Sequence, residues 1–218
     1  MKKFYFISGL GSTKESIQYF EKEMNQFGYE VQYIDIPGQY TNRDVKIQSE
    51  QDLIEWLTKE IPVGSNLIAF SMGADIAIRY HSYLQARRLI ILDGGIIDYD
   101  LMNITMEDDI AMMKSYIEEN QLDMNSETIS KLISLLRKQY MDIFHVGLDT
   151  ETLLLLSDHP DFVYEYKKNK IKVNCDNMDH IDIQFMKDTS HEMYVEKPRE
   201  VVESIFDWLQ RTNHKSNY

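Results

Sequence analysis

Residues Asn66-Leu67-Ile68-Ala69-Phe70-Ser71-Met72-Gly73-Ala74-Asp75-Ile76 mark a change from one secondary structure to another. The run before Ser71 is short and apolar, which is typical of a buried strand, and the residues after it have the composition of a helix start. Ala69 and Gly73 are small residues two positions before and after Ser71, and small side chains relieve the crowding of a sharp turn. The stretch therefore predicts a strand, a tight turn and a helix, with Ser71 at the tip.

On both sides of this stretch, short apolar runs alternate with amphipathic segments of helical period, as in βαβ units. The pattern predicts strands at residues 3–8, 30–34, 66–70, 88–92, 152–157 and 181–186. It predicts helices at residues 14–27, 50–61, 73–84 and 199–211. We therefore expect an α/β fold over residues 1–218, a single domain with a mostly parallel central sheet flanked by helices.

Residues 96–147 interrupt this alternation. Two helical patterns, at residues 107–119 and 127–145, follow one another without a strand between them. The segment therefore predicts a helical insertion within the domain, and both a lid over a pocket and an ordinary surface hairpin of helices fit it. Its methionines would form an adaptable apolar wall, although methionines at helical spacing are also common in simple packing.

Composition limits the kinds of partner that we expect. The 218 residues are 43% hydrophobic, enough for one substantial core, and carry a formal net charge of -13. This acidity argues against nucleic acid or an anionic membrane surface as a partner, because both attract basic patches. A single cysteine, Cys175, and the lack of a cysteine–histidine cluster predict neither a disulfide nor a metal site. No stretch has the length of a membrane span or the pattern of a signal peptide, so we expect a cytoplasmic protein.

Ser71 is a candidate for a chemical role. A serine hydroxyl is a weak nucleophile until a base removes its proton and a turn presents it clear of its neighbours, and a strand–turn–helix arrangement does the second. A serine at this place is also a common N-cap, because its side chain satisfies a free amide of the helix. Both interpretations are open on this stretch alone.

Four further segments occur in the order in which the α/β-hydrolase superfamily carries them, and from about residue 3 to residue 209 the chain resembles that superfamily. They are the glycine loop Phe6-Ile7-Ser8-Gly9-Leu10-Gly11-Ser12, the segment Tyr33-Ile34-Asp35-Ile36-Pro37-Gly38, the strand Leu89-Ile90-Ile91-Leu92 with Asp93-Gly94-Gly95, and the loop around Thr189-Ser190-His191. The resemblance implies an α/β-hydrolase fold in which residues 96–147 form the lid. It departs from the family pattern at Ala69, where glycine is usual, and at Ser8, where histidine is usual.

The resemblance also implies a role for each site residue. Ser71 corresponds to the nucleophile and His191 to the general base, while the backbone amides of Leu10 and Met72 correspond to the oxyanion hole. The acid that orients the histidine usually follows the strand before the histidine strand, and the family spacing there makes Asp161 the first candidate. Asp158 in the same loop and Asp93 after an earlier strand are the alternatives.

These roles together imply a serine hydrolase that cleaves a carboxylic ester or thioester of a small to medium acyl substrate, without a cofactor. A hydrolase or lyase of C–C bonds with the same triad is an alternative. A non-catalytic, ligand-binding member of the fold is another, because Ala69 and Ser8 depart from the pattern. Fold resemblance does not choose among these activities.

Overall fold

The computed structural model describes residues 2–99, 102–139, 141–174 and 180–215, without the side chains of the last two. In these ranges, six strands form one parallel sheet in the order β2-β1-β3-β4-β5-β6. The strands are β1 (Lys2–Ile7), β2 (Tyr29–Ile34), β3 (Asn66–Phe70), β4 (Arg88–Leu92), β5 (Thr152–Ser157) and β6 (Ile181–Met186). The expected α/β class and parallel sheet are therefore confirmed. Cys175 lies outside the described residues.

Helices cover both faces of this sheet. The described ones are α1 (Gln18–Gln26), α2 (Glu50–Glu60), α3 (Met72–Arg79), α4 (His81–Leu84), α5 (Met106–Glu119), α6 (Ser126–Arg137), α7 (Asp161–Val173), α8 (Met193–Glu196) and α9 (Pro198–Lys215). Side chains of α1, α8 and α9 form one apolar cluster with the sheet, and those of α2, α3, α4 and α6 form the other. The central strands are buried on both faces, which explains their almost continuous apolar sequence. None of these helices has the length and apolar character to cross a membrane.

Several helices differ from the sequence-based prediction. The helix expected at residues 73–84 is divided at Tyr80 into α3 and α4, and α7 and α8 were not predicted. The helix expected at residues 127–145 ends at Arg137. Beyond it, the buried carboxylate of Asp142 accepts hydrogen bonds from the amides of Phe144 and His145, at 3.0 and 3.1 Å. Such a local bond from side chain to backbone competes with a helix, so the chain turns here instead.

The helix that follows Ser71, α3, packs closely against the end of β1. A Cβ atom at Gly73 would clash with the backbone carbonyl oxygens of Ile7 and Ser8, which are fixed by the sheet and the loop that follows it. Glycine at this position therefore lets α3 begin directly above the end of β1. A larger residue at position 73 would lower the free energy of unfolding strongly, because backbone atoms cannot rotate away as a side chain can.

We expect Gly73→Ala to lower the free energy of unfolding by about 3 kcal/mol or more, since the added methyl has no space between two carbonyls. Urea denaturation of the purified variant measures this. Gly28→Ala is the control, because Gly28 has a φ of +81° and open space around it, so that only the backbone strain of about 1 kcal/mol applies. An equal loss in the two variants would contradict the packing argument.

Candidate active site

Ser71 lies at the tip of a strained turn between β3 and α3. Its backbone has φ 50° and ψ −120°, a conformation that residues other than glycine rarely adopt. Gly9 and Gly94 make space for the turn, because a Cβ at Gly9 would meet the Ser71 side chain and one at Gly94 would meet the Ser71 backbone. Within the described residues the Ser71 hydroxyl makes no capping bond to α3. Its geometry is therefore that of a presented hydroxyl and not of an N-cap.

His191 lies between this hydroxyl and a buried carboxylate. Its Nε2 is 2.9 Å from Ser71 Oγ, and its Nδ1 is 2.7 Å from Asp93 Oδ2. The imidazole ring packs against Phe70, with the ring centroids 4.7 Å apart. The structure thus brings Ser71, His191 and Asp93 into one hydrogen-bonded chain that ends on the Asp93 carboxylate.

The carboxylate of Asp93 has further partners besides His191. The Ser157 amide donates to Oδ1 at 2.8 Å and the Ser157 hydroxyl donates to Oδ2 at 2.9 Å. The buried ammonium of Lys167 lies 2.5 Å from Oδ1 and 2.8 Å from Ser157 Oγ. Burial opposes ionisation of Asp93, but the hydrogen bond from His191 and the charge of Lys167 outweigh it, and the pKa of this carboxyl lies below its usual value.

The structure does not bring Asp161 to His191, and the preference for Asp161 over Asp93 needs correction. Asp161 is the first residue of α7, and its side chain is 99% exposed, with the imidazole of His159 at 4.0 Å. The physical reason is the sheet order: β4 lies between β3 and β5, so the residue after β4 is next to the turn that carries Ser71. Asp93 holds that place.

Asp158, the other alternative, has a different partner. Its carboxylate accepts hydrogen bonds from the amides of Asp188 at 2.9 Å and Thr189 at 3.0 Å. Both donors belong to the loop before His191. Asp158 therefore ties the histidine loop to the end of β5 and does not contact the imidazole itself.

The glycine loop is held by a residue that the sequence interpretation missed. The buried side chain of Gln39 donates to Ser8 Oγ at 2.8 Å and to the Gly9 carbonyl at 3.1 Å, and it accepts from the Gly11 amide at 3.2 Å. Ser8 Oγ also accepts from the Ile36 amide. Ser8 and Gln39 together fix this loop where the family pattern has histidine. Gln39 directly follows the segment Asp35-Ile36-Pro37-Gly38. This position is the only feature of the sequence that could have pointed to its role.

Leu10 and Met72 line the same cavity as Ser71. In the described part of the chain, no acceptor faces the backbone N–H of either residue. The cavity is small, with a volume of about 120 Å³. The remaining lining includes Ile133 and Arg137 of α6.

The connection between α5 and α6 is joined by backbone contacts to the segment that packs on the glycine loop. Gln39 and Met124 form an antiparallel bridge, and the Asn125 amide donates to the Gly38 carbonyl at 2.6 Å. On α5, Tyr116 lies against Gly11. The helices of residues 96–147 thus rest on the loop that borders Ser71.

No family model and no curated protein sequence matches the chain. Solved structures do match along nearly its whole length. NosK from Streptomyces actuosus is 16% identical with a TM-score of 0.72, over 98% of this chain and 99% of that one. A carboxylesterase structure from Nitrososphaera gargenis is 12% identical with a TM-score of 0.71, over 98% and 92% of the chains.

A third match is an alpha/beta hydrolase from the metagenome of sediments of the Mar Chica lagoon, Morocco. It is 12% identical with a TM-score of 0.62, over 97% of this chain and 92% of that one. The chain has the α/β-hydrolase fold. Identities this low show the fold alone, and the activities of these proteins are not carried over with it.

In this α/β-hydrolase fold, the ends of β3 and β4 and the loop after β6 meet at one edge of the sheet. That edge carries Ser71, Asp93 and His191. Lys167 is the residue there with the weakest sequence signal, because it belongs to a charged run that is typical of a solvated helix face. Among the described residues, no group of three or more His, Cys, Asp or Glu side chains is arranged to hold a metal ion.

We expect Lys167→Met to lower the free energy of unfolding at pH 7 by about 3 kcal/mol, because it leaves the buried Asp93 carboxylate without its cation. In the double variant with Asp93→Asn the loss should be smaller than the sum of the two single losses, since no unpaired charge remains. Urea denaturation of the four proteins measures both effects.

Lys168→Met is the matched control for this cycle. Lys168 is the next residue on α7 but is exposed, where it pairs with Glu165 at 2.9 Å. Exposed pairs contribute little to stability, so this variant should unfold almost as the wild type does. A Lys167→Met variant as stable as Lys168→Met would show that the buried pair does not hold the site.

Proposed function

We propose that this protein is a serine hydrolase that cleaves a carboxylic ester or thioester of a small acyl substrate through an acyl-enzyme. The observation that carries the proposal is the hydrogen-bonded chain from Ser71 through His191 to Asp93, with Ser71 lining a cavity that α5 and α6 border. A nucleophile, a base and an orienting acid in this geometry are the parts of a catalytic triad. The preferred acid is Asp93, and Asp161 has no part in the mechanism.

In the first half of the reaction, Ser71 Oγ attacks the acyl carbonyl while its proton passes to His191 Nε2. Asp93 accepts a hydrogen bond from the Nδ1–H of His191. This bond selects the tautomer in which Nε2 carries no proton, and it stabilises the imidazolium that forms. The tetrahedral intermediate then collapses, and His191 returns the proton to the departing alcohol or thiol. The acyl group remains on Ser71 as an ester.

In the second half, water takes the place of the leaving group. It gives a proton to His191 Nε2, attacks the acyl-enzyme, and releases the carboxylic acid when that proton passes back to Ser71 Oγ. The backbone amides of Leu10 and Met72 are the proposed donors to the oxyanion in both halves. Their freedom from other acceptors in the described chain, and their place beside Ser71, support this role.

The hydrogen bond from His191 and the charge of Lys167 together keep Asp93 ionised during these steps. With its pKa held below the usual value, the carboxylate takes up no proton from the imidazolium and acts as a hydrogen-bond acceptor throughout. Ser157 and Lys167 also fix the carboxylate in one orientation, because they occupy the acceptor directions that His191 leaves free. They are positioning residues in this proposal.

We expect a fluorophosphonate probe to label the wild-type protein, because a nucleophilic serine with a base attacks such electrophiles. Ser71→Ala should abolish the labelling, and His191→Ala should slow it by about 10³-fold, the scale of a lost general base. Labelling is followed by the mass of the intact protein. Wild-type protein that is folded but stays unlabelled would favour the non-catalytic ligand-binding alternative.

The two candidate acids are compared by the same labelling rate and by hydrolysis of thioesters. Asp93→Asn should reduce both by about 10³- to 10⁴-fold, because an amide at this position favours the wrong tautomer of the imidazole. Asp161→Asn is the matched control and should leave both rates as they are, since its side chain is fully exposed. A rate that falls with Asp161→Asn and not with Asp93→Asn would reverse the assignment.

Turnover of a vinylogous diketone in preference to any thioester would favour the C–C hydrolase alternative.

A further inference from the structure

A carboxyl group lies in the cavity beside the nucleophile, and the proposed mechanism does not use it. Asp75 is the fourth residue of α3, the helix that begins directly after Ser71. Asp75 lines the cavity that contains Ser71 and also the adjoining one, which is bordered by Arg79 and Tyr99. It is therefore within the reach of a small substrate bound to Ser71.

The arginines around these cavities are engaged by other groups. Arg137 donates to the carbonyl oxygens of Ile104 at 2.6 Å and Thr105 at 3.0 Å, and it lies 3.2 Å from the carboxylate of Asp109. Arg79 donates to the Gln139 carbonyl at 3.0 Å and lies 3.6 Å from Glu50. Among the described ion pairs, none includes Asp75. The carboxyl group available to a ligand in this cavity is that of Asp75.

The lining of the cavity indicates which part of the substrate it receives. The leaving group must lie near His191 Nε2, because that atom returns a proton to it. The residues around the cavity come from the glycine loop, α3, the segment before α5, and the helices α5 and α6, and in the described chain none comes from the histidine loop. The cavity is therefore placed to hold the acyl part, and its volume of about 120 Å³ fits a short one.

We propose that this cavity binds an acyl group that carries an ammonium, and that Asp75 pairs with that ammonium; the proposal rests on the function proposed above. Hydrogen bonds between an ammonium and a carboxylate are among the strong polar contacts of proteins, particularly where water is excluded. An anionic acyl group would meet an unpaired carboxylate instead. Short aminoacyl esters or thioesters are the substrate class that follows.

The titration of Asp75 agrees with this assignment. Burial raises the pKa of its carboxyl to about 7, the Gly95 amide and the charge of His191 lower it, and the charge of Asp109 raises it. Arg79, Asp98, Tyr99 and Arg137 are the other charged or titratable groups along the cavities that Asp75 lines. Without a cation the carboxylate is thus costly near neutral pH, and a bound ammonium removes this cost.

Two thioesters of the same shape test the proposal. The β-alanyl and butyryl thioesters of N-acetylcysteamine differ only in an ammonium that replaces a methyl group. We expect the wild-type protein to have a kcat/KM at pH 8 at least tenfold higher for the β-alanyl thioester. The ratio should fall between pH 8 and pH 6, because Asp75 takes up a proton in that range and loses its charge.

Asp75→Asn keeps the shape of the side chain and removes the charge. It should lower the ratio of the two kcat/KM values at least tenfold, to a value near or below one. Asp98→Asn is the control with the same change of charge, since Asp98 lines the adjoining cavity and not the one that contains Ser71. That variant should keep most of the preference. Asp75→Ser provides a second removal of the charge if Asp75→Asn does not fold.

Each outcome has one interpretation. A wild-type protein that labels with fluorophosphonate but prefers the butyryl thioester overturns the ammonium proposal and leaves the hydrolase proposal intact. An equal loss of preference in Asp75→Asn and Asp98→Asn shows that the general charge of the cavity, and not Asp75, selects the substrate. Absence of both labelling and thioester cleavage overturns the two proposals together.

Discussion

The site depends on one carboxylate, that of Asp93, and on the four hydrogen bonds that it accepts. Ser157 at the end of β5, Lys167 on α7 and His191 after β6 all converge on its two oxygens. These donors come from three parts of the chain that are neighbours only when the sheet is complete. The position of His191 relative to Ser71 is therefore a result of the whole sheet and not of the histidine loop alone.

Local features were the part of the structure that the sequence predicted well. Each predicted strand agrees with the observed one to within one residue. The central strands β3, β4 and β5 are predictable because burial on both faces needs a short, almost continuous apolar run. The turn at Ser71 was also predictable, since its small neighbours have a steric role that can be read from the sequence. Position 73 needs glycine because the carbonyl oxygens of Ile7 and Ser8 leave no space for a side chain, and Ala69 is itself fully buried in β3.

Long-range contacts were the part that sequence reasoning did not reach. The choice between Asp161 and Asp93 depends on which strand lies next to β3, and three aspartates at strand ends look alike without the sheet order. Asp161 is the first residue of α7 and not part of a loop, because the helix begins directly after Pro160. Lys167 and Gln39 are polar residues whose burial comes from partners 74 and 31 positions away along the chain, and neither has a local pattern that reveals it.

The ion pair of Asp93 with Lys167 has a consequence for the electric field near Ser71. In a triad whose aspartate faces no cation, the resting site has one net negative charge, which attracts any positive group that enters. Here the charge of Lys167 cancels that of Asp93 at a separation of 2.5 Å, so this buried pair has no net charge beside His191. The negative charge that Asp75 brings to the proposed substrate cavity is then not reinforced by a second one from the buried carboxylate behind His191.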